Sequence, residues 1–173
     1  MMWRRGTNPE KEDAAVVPVH VHALGFDETN AQPVVMLKED EGLRVLPIWI
    51  GQPEAMAIML AVQGTAPPRP LTHDLLMGVI LATGFAVERV EITRVEGSTF
   101  YAALTLKDAE RGLTLDARPS DCLALAVRSG CPVFVAEDVM ISSGVVPDDE
   151  EEQEVAAFRD FLDHVAPEDF MNS

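Results

Sequence analysis

The stretch LTLDARPSDCLALAV, residues 113–127, changes its hydrophobic period halfway along. Leu113, Leu115 and Ala117 alternate with Thr114 and Asp116, the period-2 pattern of a half-buried strand. Pro119 ends the ladder because it has no N–H to donate and a fixed φ. Apolar residues resume at helical spacing at Leu123, Ala124, Ala126 and Val127, and Gly130 is a natural helix stop. A strand therefore runs abruptly into a helix N-terminus, where unpaired N–H groups and a partial positive charge suit an anion. Asp116, Arg118, Ser120 and Asp121 crowd this turn. Ser120 or Asp121 as a simple helix cap, stabilising by about 0.5–2 kcal/mol, explains one polar residue. It leaves Asp116 and Arg118 beside it unexplained, so capped helix and functional corner stand as alternatives.

Working outward, Ala86–Val95 and Thr99–Leu106 alternate around Glu96-Gly97-Ser98, which predicts a hairpin leading into the 113–117 strand as a meander. Val17, Val19 and Val21 predict an earlier strand, with His20 and His22 on one face as a conceivable chelating pair or simply a solvated face. Pro33–Lys38 and Leu43–Ile50 read as a second hairpin around an acidic turn, and Pro132–Val135 as a short buried strand. Two further helices are expected. Glu54–Gln63 is apolar nearly all round (Met56, Ile58, Met59, Leu60), so it needs cover on several sides, from the domain core or from a second subunit. His73–Thr83 follows a Pro-rich connection, with Thr72 as its expected N-cap and Gly84 as its stop. Glu54, Asp74 and Asp121 each fall in a first helical turn, where the dipole favours an acid. Arg69 and His73 have no such reason to be there.

Length and composition bound the rest. A chain of 173 residues with 47% hydrophobic content fits one domain with a real core. The expected architecture is a single α+β domain, with a mixed or antiparallel sheet packed with three helices plus a C-terminal amphipathic helix. Residues 1–15 read as a loose arm, 16–146 as the domain and 147–173 as an acidic helical appendage. Net charge is −16, and residues 148–173 carry ten acids against Arg159 alone. That sign argues against high-affinity non-specific nucleic-acid binding, so any such contact must be local. No apolar run is long enough to cross a bilayer, and Arg4 and Arg5 lack the apolar region of a signal peptide, so no membrane role is expected. Cys122 and Cys131 match no metal or redox spacing and read as buried thiols of a cytoplasmic protein.

Three blocks in order, Leu46-Pro-Ile-Trp-Ile-Gly51 with Glu54-Ala55, Arg69-Pro-Leu-Thr-His-Asp-Leu75, and Asp116-Ala-Arg-Pro-Ser-Asp121 with Ala124-Leu-Ala126, resemble the bifunctional nuclease (BFN) domain family. The resemblance spans about Val16 to Ile141. It implies an α+β fold, a bacterial or plant setting (bacterial being the expectation here), homodimers or larger homo-oligomers, and DNase and RNase activity as ascribed to plant members. Many bacterial relatives carry a C-terminal UVR helical motif, whereas this chain has its acidic helix there. Cys122 stands where many members have Ala.

Phosphodiester hydrolysis needs an activated water, charge neutralisation at phosphate and a proton for the leaving oxygen. His73, Asp74, Asp116 and Asp121 are the catalytic candidates, and Arg69, Arg118 and Ser120 the phosphate-binding ones. Glu54, Asp116 and Asp121 are candidate ligands for Mg²⁺ or Mn²⁺, and no organic cofactor is expected. The alternative is a non-catalytic oligomeric module that binds a ligand or protein, its Arg/Asp cluster being structural. A Ser120–His73–Asp triad lacks any nucleophile-elbow motif.

Overall fold

Strand alternation decides which face of the sheet is buried. Val35 and Leu37 lie opposite Ile48 and Leu46, Val90 and Ile92 opposite Leu104 and Ala102, and all are buried in one core. The computed structural model describes residues 15–147. In chain order the elements are β1 Val16–Asp27, β2 Gln32–Glu39, β3 Val45–Trp49, α1 Gln52–Val62, α2 Thr72–Ala82, β4 Ala86–Glu96, β5 Thr99–Lys107, β6 Gly112–Ala117, α3 Pro119–Ser129, β7 Val133–Ala136 and α4 Glu137–Ser143. The strands form one seven-stranded mixed sheet, ordered β3-β2-β1-β7-β4-β5-β6. Every pairing is antiparallel except β4 with β7. The fold is α+β, as the alternation predicts.

The two hairpins and the β4–β5–β6 meander form where the pattern places them. Gly97 takes φ +62°, a conformation an L side chain resists, so the chain reverses between Glu96 and Thr99 in two residues. Leu43 is not in β3; it sits exposed in the preceding turn. That turn is organised by an ion-pair triad that links distant elements. Arg44 donates to Glu39 (Nη2 to Oε1, 2.6 Å) and to Glu137 at the start of α4 (Nη1 to Oε1, 2.9 Å).

α3 packs on β4 and β5, α1 packs against α3 and β2, and α2 packs on α3 and β4. Gly130 ends α3 with φ +70°. The caps differ from expectation. Leu71, not Thr72, is the N-cap of α2, and the Asp74 carboxylate reaches back to accept the Leu71 N–H at 2.8 Å. Arg118, rather than Ser120 or Asp121, is the N-cap of α3, and no side chain caps it. α4 was not expected from the sequence: directly after β7, Glu137, Asp138 and Val139 open a helix that buries Val139 and Met140. The expected loose arm and acidic helix lie outside the described residues. No helix among those described is long and apolar enough to cross a membrane.

Candidate functional site

Glu54, Asp74 and Asp121 occupy the same position, the third residue of α1, α2 and α3 respectively. Packing α1 and α2 against α3 gathers the helix starts, and Arg118 stands between two of them. Its Nε donates to Asp121 Oδ2 at 2.8 Å and its Nη2 to Asp121 Oδ1 at 3.1 Å, while Nη2 also lies 3.0 Å from Glu54 Oε1. His73, the second residue of α2, places Nε2 3.1 Å from Asp121 Oδ1. Four of the residues singled out from the sequence thus form one chain, His73–Asp121–Arg118–Glu54, across three helix N-termini.

Exposure peaks at Arg118 and falls on both sides, to 17% at Glu54. The Arg118 side chain is 65% exposed, Asp121 30% and His73 12%. Burial pushes the Asp121 carboxyl upward, but hydrogen bonds from Arg118 and His73 outweigh it and hold the group below the ordinary carboxylate range. Asp121 is therefore an ionised acceptor, so the proton in the contact with His73 belongs to Nε2. In the neutral ring this leaves Nδ1 as the basic nitrogen. The same contacts with Asp121, then Glu54, raise Arg118 above its ordinary value. Among the described residues two nitrogens of its guanidinium are engaged, and the N–H groups of Nη1 can meet another anion.

The other candidates lie elsewhere. Asp74 accepts from Arg128 Nε at 2.7 Å and from the Leu71 N–H, and its carboxyl is held low by Arg128 first and that N–H second. These contacts tie the start of α2 to α3. Asp116 pairs across the ladder with Ala103, whereas its neighbours Leu115 and Ala117 pair with Leu104 and Ala102 on the core side. Alternation therefore sends Asp116 to the opposite face of the sheet, away from Asp121. Ser120 is buried, with 6% of its surface exposed. Arg69 is exposed and makes no hydrogen bond or ion pair among the described residues. His20 is joined to Asp40 (Nδ1 to Oδ1, 2.8 Å), and its ring meets that of His22 edge-on at 5.9 Å.

Mg²⁺ or Mn²⁺ would need several oxygen ligands converging on one point. Glu54 and Asp121 are each joined to the Arg118 guanidinium. Among the described residues no three His, Cys, Asp or Glu side chains are grouped to hold an ion. The side chains as placed do not fit the metal expectation.

Arg128 was missed in the sequence, where a base in the last turn of a helix is sufficiently explained by the dipole. Its side chain, 11% exposed, joins three helices. Besides Asp74 of α2 it donates from Nη1 to the carbonyls of Ala57 in α1 at 3.0 Å and Ala124 in α3 at 2.8 Å.

The class so defined is an α+β domain whose first three helices start around one exposed arginine. The profile of the bifunctional nuclease domain matches residues 35–148, and the chain belongs to that family. It is 44% identical over 161 residues to an uncharacterized protein of Mycobacterium tuberculosis, covering 88% of this chain and 96% of that one. It is 28% identical over 133 residues to Bifunctional nuclease 2 of Oryza sativa subsp. japonica, covering 73% of this chain but 41% of the rice protein. With Bifunctional nuclease 1 of Arabidopsis thaliana the identity is 26% over 117 residues, 65% of this chain and 36% of that one. Each plant alignment thus takes in less than half of the plant protein.

Proposed function

We propose that this protein hydrolyses phosphodiester bonds of DNA, RNA or both at the His73–Asp121–Arg118–Glu54 corner. The observation that carries the reading is the contact of His73 with Asp121 beside an exposed arginine that keeps donors in reserve. Arg118 Nη1 binds a phosphate oxygen and offsets the charge that builds there. Asp121 holds His73 with Nε2 protonated, so that Nδ1 takes a proton from the attacking water. The water oxygen bonds to phosphorus, the bond to the leaving oxygen breaks, and that oxygen takes a proton from solvent water as His73 returns its own to solvent. Family membership, and the names of the plant relatives, support this reaction class. The acidic composition limits binding to a few phosphates at a time. A cytoplasmic location is part of the proposal, supported by two free thiols, Cys122 and Cys131.

One observation favours the non-catalytic alternative: both corner acids are already paired with Arg118. Purified protein incubated with single-stranded DNA and RNA, with Mg²⁺, Mn²⁺ or EDTA in parallel, distinguishes the two. Cleavage that disappears in His73→Gln supports the reaction. A dependence on Mg²⁺ or Mn²⁺ would show that Arg118 yields its place to a cation. No cleavage under any condition, or cleavage that His73→Gln leaves intact, rejects this site as a nuclease centre.

A further inference from the structure

Beside the start of α2 lies an open cleft of about 370 Å³, bounded by the end of α1, the Pro-rich connection, α2 and α3. That volume falls within the ~300–1,000 Å³ of small-ligand sites. Its walls are mostly apolar, with Ala61 from α1 and Ala66, Pro67 and Pro70 from the connection, and every lining residue is among those described. Besides Thr65, its polar side chains are Asp74 and Arg128, joined to each other at 2.7 Å. Arg128 commits Nε to Asp74 and Nη1 to two carbonyls, while Nη2 makes no hydrogen bond among the described residues. No buried side-chain nitrogen among those residues lacks a partner, so Nη2 is open to solvent, and the cleft is the space that Arg128 lines. Each Asp74 oxygen accepts one bond, from Arg128 Nε or the Leu71 N–H, and each keeps a further lone pair. A donor and an acceptor thus stand side by side in an apolar cleft whose two charges sum to zero. An anion there would meet Asp74 and a cation Arg128. The site suits a neutral, planar group with an acceptor next to a donor, the pattern of a nucleobase edge held between apolar walls.

We infer that this cleft holds a nucleobase of the strand whose phosphate meets Arg118, its edge on Arg128 Nη2 and Asp74. The inference rests on the phosphodiester reading, which selects nucleic acid among ligands with such an edge. The spacing agrees with it. His73 and Asp74 are consecutive, yet His73 reaches Asp121 and Asp74 reaches Arg128, seven residues further along α3. At 3.6 residues per turn those two contacts lie on one side of α3, about 10 Å apart along its axis. One nucleotide spans a distance of that order from its phosphate to the far edge of its base. Arg69, exposed and without a hydrogen bond or ion pair among the described residues, sits in the same connection between Pro68 and Pro70, whose fixed φ angles stiffen it. Its cation adds attraction for the strand beside the cleft.

Calorimetric titration of the full chain with the four ribonucleoside 5′-monophosphates, and with ribose 5-phosphate as the base-free control, tests the cleft apart from cleavage. At least one nucleotide should bind about tenfold more tightly than ribose 5-phosphate, the contribution of one base held by stacking and edge contacts. Ala66→Phe and Ala61→Leu fill the cleft from two different elements. Each, with its unfolding temperature retained, should reduce that nucleotide to the level of ribose 5-phosphate. Equal binding of ribose 5-phosphate and all four nucleotides overturns the inference, as does a preference that both filled variants keep, which places the base elsewhere. The two readings fail separately. Base preference lost on filling the cleft, in a protein that cleaves nothing, leaves the cleft standing and rejects hydrolysis. Cleavage that depends on His73, in a protein without base preference, keeps hydrolysis and rejects the cleft.

Discussion

Replacing Asp121 with Asn removes one charge from the centre of the corner and leaves its shape almost unchanged. The amide retains one acceptor oxygen, which can keep the contact to His73 now made at 3.1 Å. Its NH₂ then faces Arg118 Nε, a donor against a donor, so the 2.8 Å bond is lost. Arg118 is 65% exposed and still has Glu54, so losing one ionic partner costs about 0.5–1 kcal/mol. The His73 bond, made by a ring only 12% exposed, loses its charge assistance for roughly another 0.5–1 kcal/mol. The expected destabilisation is about 1–2 kcal/mol, well short of the ~3–5 kcal/mol of a broken buried pair. Helix capping does not alter this sum, because Arg118 is the N-cap of α3. Catalysis should respond far more, since losing an oriented base costs about 10²–10⁴-fold. Urea unfolding and kcat/KM for single-stranded substrates, measured on both proteins, give the two numbers. Unchanged kcat/KM would refute the assigned role of Asp121. A stability loss above ~3 kcal/mol with no measurable cleavage in either protein would make the corner a structural ion cluster.

Arg128→Ala withdraws the group that holds α1, α2 and α3 together, and should lower stability by about 2–4 kcal/mol in urea; a loss below 1 kcal/mol would mean that the helices are fixed by apolar packing alone. Arg44 holds the Glu39 carboxyl, and Arg128 the Asp74 carboxyl, below the ordinary range, so near pH 4 the unfolded chain binds more protons than the folded one. Stability from both groups is therefore complete at neutral pH and lost as pH falls below about 4.5; a urea midpoint that rises on acidification would contradict this. Cys122 is fully buried and its thiol is pushed up to about 12 by burial, so it should resist maleimide at pH 7 until the chain unfolds. Labelling of Cys122 at the rate of a free thiol would show that α3 opens readily.

What the sequence disclosed depended on whether a pattern had one cause or two. The strands were legible because alternation has a single cause, one wet face and one dry, and β4 and β5 lie almost where their pattern ends. α4 was not, since Glu137 to Ser143 make too few turns to display a period. At the corner the sequence identified His73, Arg118, Asp121 and Glu54, but Asp74 and Asp116 share their chemistry and were indistinguishable from them. Only the third dimension separates them, because strand parity turns Asp116 to the far face and Arg128, 54 residues away, takes up Asp74. The sequence left α1 to be covered by the domain core or by a second subunit, and in the structure it packs against α3 and β2. Both α1 and α2 are apolar on most sides, and composition does not reveal which of two such helices lies against the sheet.

The position of β7 bears on how the chain reaches this fold. β7 is the middle strand of the sheet, yet it is only Val133–Ala136, and its partners in β1 begin with Val16, 120 positions earlier. Until it arrives, β1–β2–β3 and β4–β5–β6 are separate antiparallel sheets, and β1 and β4 each present an open edge. Those local hairpins can form early, whereas joining them requires one long loop closure late in the chain. Synthesis from the N-terminus therefore holds two unsealed edges exposed until residue 136 emerges, the interval in which one nascent chain can pair with another. Refolding should accordingly show fast acquisition of strand signal, followed by a slower step in which the β7 amides become protected from exchange.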